Sequence, residues 1–170
     1  MIRVVAPIFV GLLWITSVAI AQPAAPEKSD KAAPTQDELD KQFAETMSGA
    51  TLVGNFTVAG MEGEKPFRPE RYTLGKVSKL KNGYWQFETR IQYGDHDVKL
   101  PLALEVKWSG DTPMITLTDV TIPGLGTYTA RVLVYRNQYA GTWSGTGHGG
   151  HLFGKVVREE GDKPAAEKKN

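Results

Sequence analysis

Three histidines are the first residues whose type and spacing suggest chemistry. His148-Gly149-Gly150-His151 sets two imidazoles three residues apart in a glycine-rich connection, and His96 stands between Asp95 and Asp97 in a hairpin turn. Imidazole nitrogens bind zinc, copper or nickel, and a nearby carboxylate can complete the set. The condition is that both loops open at the same end of the fold, which the turns after strands 3 and 7 of an eight-strand meander satisfy. His96, His148 and His151 are therefore the candidate metal ligands. The plainer reading is three solvated loop histidines.

Other constellations are weaker. Gly141-Thr142-Trp143-Ser144-Gly145 lacks the spacing of a nucleophile elbow, in which one residue separates the serine from each glycine. Gly145, Gly147 and Gly150 spell a Gly-x-Gly-x-x-Gly pattern, but a β-like run follows where dinucleotide binding needs a helix. Asp119 sits mid-strand among Thr116, Leu117, Thr118 and Val120. Either it faces an apolar interior with a raised pKa or a bulge turns it outward. Aromatic residues are the more promising theme. Phe56, Trp85, Phe87, Trp108, Tyr128 and Trp143 are read as inward-facing, where they fill a core or line a pocket for one apolar ligand. No catalytic residue is assigned, no cofactor is implied, and the expectation is a non-enzyme.

The elements that must position these residues follow from hydrophobic period. Thr35 and Glu38 form a capping box, and Leu39, Phe43 and Met47 recur every four residues before Gly49, which predicts a helix over 36–47. From Thr51 the period becomes two. Trp85, Phe87, Thr89, Ile91 and Tyr93 alternate with Gln86, Glu88, Arg90 and Gln92. Val98, Leu100, Leu102, Leu104, Val106 and Trp108 share one parity. Such runs are antiparallel strands with one buried face. Strands are predicted at 51–59, 71–80, 84–93, 97–108, 114–122, 127–135, 139–145 and 151–158, with Asn82-Gly83 the best hairpin signal and a bulge near Thr118-Asp119. Short connections make a meander, and a meander with one apolar face hides it by closing into a barrel. The expected fold is all-β, an eight-stranded antiparallel barrel with the helix stopping one end. An open sandwich is the alternative.

Composition narrows the setting. The 170 residues contain no cysteine, which excludes disulfides, cysteine-ligated metals and thiol catalysis, and 20 basic against 19 acidic side chains leave no basic footprint for nucleic acid. Residues 1–21 read as a signal peptide: Arg3, an apolar stretch from Val4 to Ile20, and Ala19-Ile20-Ala21 as the cleavage pattern. Cleavage would leave no permanent membrane anchor. The expected product is exported, periplasmic or secreted. Residues 22–35 read as a disordered Pro/Ala/Lys linker and 159–170 as a disordered charged tail, flanking a domain at 36–158.

The runs SGATLVGNFTVAG (48–60), IQYGDHDVKLPL (91–102) and YAGTWSGTGHGGHLFGK (139–155) resemble short exported proteins of planctomycete-type bacteria. That likeness implies an envelope or secreted location and no particular activity. Gly141-Thr142-Trp143 is similar to the Gly-x-Trp of lipocalin and avidin barrels, although it stands near the end of this domain and not in its first strand. Three functions are compatible with these readings. One is an envelope or interaction protein touching another envelope component. The second is a lipocalin-like carrier of a small apolar or aromatic ligand, and the third a metal-binding protein using the loop histidines.

Overall fold

The computed structural model describes residues 33–60 and 67–158; the expected signal peptide, linker and tail fall outside them, apart from residues 33–35. One helix, α1 (Gln36–Met47), is followed by β1 (Thr51–Phe56), β2 (Arg68–Lys79), β3 (Tyr84–Tyr93) and β4 (His96–Ser109). β5 (Thr112–Ile122), β6 (Gly126–Tyr135), β7 (Gln138–Gly145) and β8 (His148–Val157) complete the order. Each strand pairs antiparallel with its neighbour in sequence, and β8 returns to β1, closing the barrel.

Local chemistry sets these boundaries. Thr35 Oγ1 accepts from the Glu38 amide, and Glu38 Oε2 accepts from the Thr35 amide at 2.8 Å, so the capping box forms. Asn82 and Gly83 both take positive φ, 58° and 78°, as a two-residue turn matched to strand twist requires. The register of β5 on β6 slips between Leu117 and Val120, with Asp119 at φ 52°. Asp119 is exposed, and its Oδ1 accepts from Thr129 Oγ1 at 3.1 Å, so the bulge turns this carboxylate outward. A second slip, between Leu74 and Val77, has no sequence warning beyond Gly75.

The wall is not uniform. β4 and β5 pair only from Glu105 to Ser109 and from Thr112 to Thr116. Above that, β4 pairs with β3 alone and β5 with β6 alone. Pro101, which has no N–H to offer a ladder, lies where β4 has a single partner. The two strands therefore diverge toward one end of the barrel.

The helix stops the other end. Phe43 meets Trp85, Phe87 and Trp108 edge to face, with centroid distances of 4.9, 6.2 and 5.9 Å. Met47 is fully buried. At the helix C-terminus the Val77 amide donates to Ser48 Oγ at 3.0 Å, and the Gly49 amide donates to the Gly75 carbonyl at 3.0 Å. Buried Asp40 pairs with Lys79 and accepts from Gln36 Nε2 at 2.9 Å. A helix of this length is marginal alone in water, and these contacts supply what it lacks.

Candidate functional site: a cavity with one buried carboxylate

Inside the barrel lies a cavity of about 1050 Å³, with Met47 of the helix among its lining residues. Its deep part is apolar, with Leu52, Leu74, Phe87, Leu102 and Leu104 on the wall. The lining reaches the turn residues Gly94, Asp95 and Leu125 at the end away from α1, so that end is the mouth.

Near the mouth four aromatic side chains touch in a ring. Phe56 meets Tyr93 and Trp143, each at 5.8 Å between centroids, and Trp143 meets Tyr128 at 6.3 Å. The Tyr93 and Tyr128 hydroxyls, 3.4 Å apart, close the circuit. Two hydrogen bonds hold the collar in place: Trp143 Nε1 donates to the Thr57 carbonyl at 3.1 Å, and the Tyr128 hydroxyl to the Leu125 carbonyl at 2.7 Å.

Beside this collar sits Glu70, buried at 5% exposure. Its Oε2 accepts from the Tyr72 hydroxyl at 2.7 Å and its Oε1 from the Tyr139 hydroxyl at 2.9 Å. Tyr139 belongs to β7, three strands away around the barrel. The register explains the reach. Tyr139 pairs with Gly154 on β8, Gly154 with Gly54 on β1, and Gly54 with Glu70 on β2. Two glycines thus form a bare lane, across which the Tyr139 ring lies. A Cβ on Gly154 would stand 2.7 Å from Tyr139 Cε1, and one on Gly54 would collide with the Tyr139 hydroxyl.

The electrostatics of the group are opposed. Burial pushes the Glu70 carboxyl above the ordinary glutamate range, while the two phenol hydrogen bonds pull it back down. Burial and the neighbouring carboxylate push both Tyr72 and Tyr139 up, so they remain donors. Among the described residues Glu70 has no salt-bridge partner.

The six aromatic candidates separate into two sets. Phe56, Phe87, Tyr128 and Trp143 line the cavity. Trp85 and Trp108 pack against Phe43 at the stopped end and are not on the cavity wall. The histidines need correction as loop residues. The β7–β8 connection is only Thr146-Gly147, made tight by Gly147 at φ 75°, so His148 opens β8 and His151 lies inside it; His96 likewise opens β4. His96 and His148 reach the mouth, His96 tilted against Tyr93 at 4.8 Å and His148 meeting Trp143 edge to face at 5.3 Å. His151 is exposed at a position of the opposite, outer parity to cavity-lining Leu152; its backbone amide donates to Thr57 Oγ1 at 3.0 Å and its carbonyl accepts from the Thr57 amide at 2.9 Å. No group of three or more His, Cys, Asp or Glu side chains able to hold a metal occurs among the described residues.

Sequence reasoning missed Glu70, Tyr72, Tyr93 and Tyr139 as site residues. The strand expected at 71–80 begins at Arg68, which put Glu70 one residue outside it. Compared with known proteins, the chain matches no protein-family model and no curated sequence. Its class is therefore set by architecture: a closed eight-stranded antiparallel meander, stopped at one end by a helix and hollow at the other.

Proposed function

We propose that this protein binds a small, largely apolar molecule inside its barrel, as the lipocalin-like carrier reading expects. The observation that carries the proposal is the cavity of about 1050 Å³. Eight-stranded barrels either fill their interior with side chains or hold one small ligand, and a space of this size suits a drug-sized molecule. The division of the aromatic residues supports the same reading, since those at the stopped end complete a core while those at the mouth leave space beneath them. Binding, not catalysis, is the activity proposed. Export to the periplasm or medium remains part of the proposal, on the strength of the N-terminal sequence. Charged and polar residues on the outer parity of β3 and β4, among them Glu88, Arg90, Lys99 and Lys107, suit water where a transmembrane barrel would carry an apolar band.

A second reading, interaction with another envelope component, is favoured by one feature of the outer surface. Leu133, Ala140 and Phe153 align across β6, β7 and β8, and exposed Phe67 packs edge-on against Phe153 at 5.7 Å. Native mass spectrometry of protein isolated gently from its host decides between the two. An adduct of a few hundred daltons that is lost on denaturation supports the carrier. A bare mass, with no change in tryptophan emission on adding apolar probes, overturns it in favour of the surface.

A further inference from the structure

The cavity's polar groups narrow the chemistry of its ligand. Glu70 is the one carboxylate among the buried residues of the barrel strands, and both its oxygens already accept a hydroxyl. An ionised carboxylate has about four acceptor sites, so free lone pairs remain, and they can only accept. Tyr128 spends its hydroxyl on a backbone carbonyl. A ligand group that is itself an acceptor or an anion finds repulsion here; a donor or a cation finds a partner. Glu70 pairs in register with Tyr93, so the carboxylate lies level with a member of the aromatic ring. Aromatic faces attract ammonium groups, most strongly where water is excluded.

Resting on the binding function proposed above, we infer that the ligand is an organic ammonium, its cationic nitrogen held between Glu70 and the collar of Phe56, Tyr93, Tyr128 and Trp143, and its apolar tail directed toward Met47. The cation supplies the counter-charge that the buried carboxylate lacks among the described residues. Its charge offsets the desolvation that now opposes ionisation of Glu70. Arg68 also lines the cavity, but it is exposed at the start of β2, in a medium where its repulsion is weak. The tail meets the apolar wall of Leu52, Leu74, Leu102 and Leu104.

Decylammonium, decanol and decanoate share a tail and differ only in head group, so they separate the two claims. Binding is read by tryptophan emission and by calorimetry on the folded full-length protein. Decylammonium is expected to bind roughly 10- to 100-fold tighter than decanol, the worth of a hydrogen bond to a charged group, with decanoate weakest. In Glu70→Gln that preference collapses to a few-fold while decanol still binds. Equal binding of the three, a preference for decanoate, or a preference that survives Glu70→Gln overturns the ammonium inference and leaves the carrier standing. Failure of all three to bind overturns the carrier reading itself. Should Glu70→Gln not fold, Trp143→Leu takes its place: it is expected to weaken decyltrimethylammonium at least about fivefold while sparing decanol, and parallel losses for the two would overturn the inference.

Discussion

Replacing Tyr139 with Phe removes one oxygen from the barrel and leaves the ring in its glycine lane. Tyr139 is 2% exposed, and its hydroxyl donates to Glu70 Oε1 at 2.9 Å. Without it that carboxylate oxygen loses its donor on a side chain only 5% exposed. A hydrogen bond to a charged group is worth about 1.5–3 kcal/mol, and one between neutral groups about 0.5–1.5 kcal/mol. The cost of Tyr139→Phe therefore depends on whether Glu70 is ionised. In the wild type burial holds the folded pKa of Glu70 above its unfolded value. The folded state then binds more protons than the unfolded state across that interval, so this group's contribution is fully present below the unfolded pKa and lost as pH rises through the folded pKa. The Tyr139 bond is one of the two interactions that limit the rise. Its removal would let the carboxyl climb further, and the variant would lose more stability over the same interval. Urea unfolding followed by tryptophan emission, at about pH 4 and about pH 8, measures the two gaps. The gap between wild type and variant is expected to be about 1 kcal/mol at the acid end and about 2–3 kcal/mol at the alkaline end. A gap that is constant with pH, or that narrows as pH rises, would refute the assignment of Glu70 as a buried, titrating acceptor.

Three further substitutions probe the scaffold. Phe43→Ala removes a nearly buried ring from contact with Trp85, Phe87 and Trp108 and should cost about 3–5 kcal/mol in denaturant unfolding; a loss below about 1 kcal/mol would mean that the helix does not stop the barrel. Gly154→Ala puts a methyl against the Val53 carbonyl, the Gly54 Cα and the Tyr139 ring, and should cost about 1–3 kcal/mol, with amide exchange accelerated along β1 and β8; wild-type stability and exchange would contradict the bare lane. Lys79→Ala breaks the ion pair to Asp40, but Lys79 is half exposed, so screening keeps the loss under about 1 kcal/mol, and the same unfolding curves test this.

The parts of the fold legible in the sequence are those carried by local pattern. Parity in β3 and β4, the Thr35–Glu38 capping box, Asn82-Gly83 and the change of step near Asp119 each express a constraint spanning fewer than about a dozen residues, and each element stands as read. The site depends on constraints of another kind. Tyr139 and Glu70 are 69 positions apart and meet only because β7, β8, β1 and β2 adopt one register, with glycine at both crossing points. Gly54 and Gly154 are visible in the sequence as glycines that interrupt strands; what they make room for is not. Glu70 itself follows Pro69 near the start of β2, whose parity slips at Gly75, so no long alternation runs through it to mark it as inward. The histidines are misplaced for a simpler reason. A glycine-rich stretch reads as a long connection, yet Gly147 alone completes the turn and the glycines after it belong to β8.

The two ends of the barrel predict opposite mutational signatures, and this is the most direct way to separate scaffold from site. At the stopped end Phe43 and Trp85 are almost wholly buried, and both belong to one continuous apolar core. Truncating them leaves a void among close-packed side chains, a cost borne by the folded state whether or not a ligand is present. At the mouth Trp143 is only partly buried, and Gly150, its cross-strand partner on β8, offers it no side chain to pack on. Its ring contacts are with Phe56, Tyr128 and His148 around the mouth. Trp143→Leu should therefore cost no more than about 1–2 kcal/mol of stability, chiefly the bond to the Thr57 carbonyl and part of the ring's burial. Its effect on ligand affinity should be the larger of the two. Phe43→Ala should show the reverse, a large loss of stability with ligand affinity changed less than about fivefold under conditions where the variant remains folded, because Phe43 is not itself among the residues lining the cavity. Measuring both variants by urea unfolding and by titration with decyltrimethylammonium gives four numbers. If the loss of affinity tracks the loss of stability in both, the mouth has no role of its own, and the collar is simply the upper layer of the core.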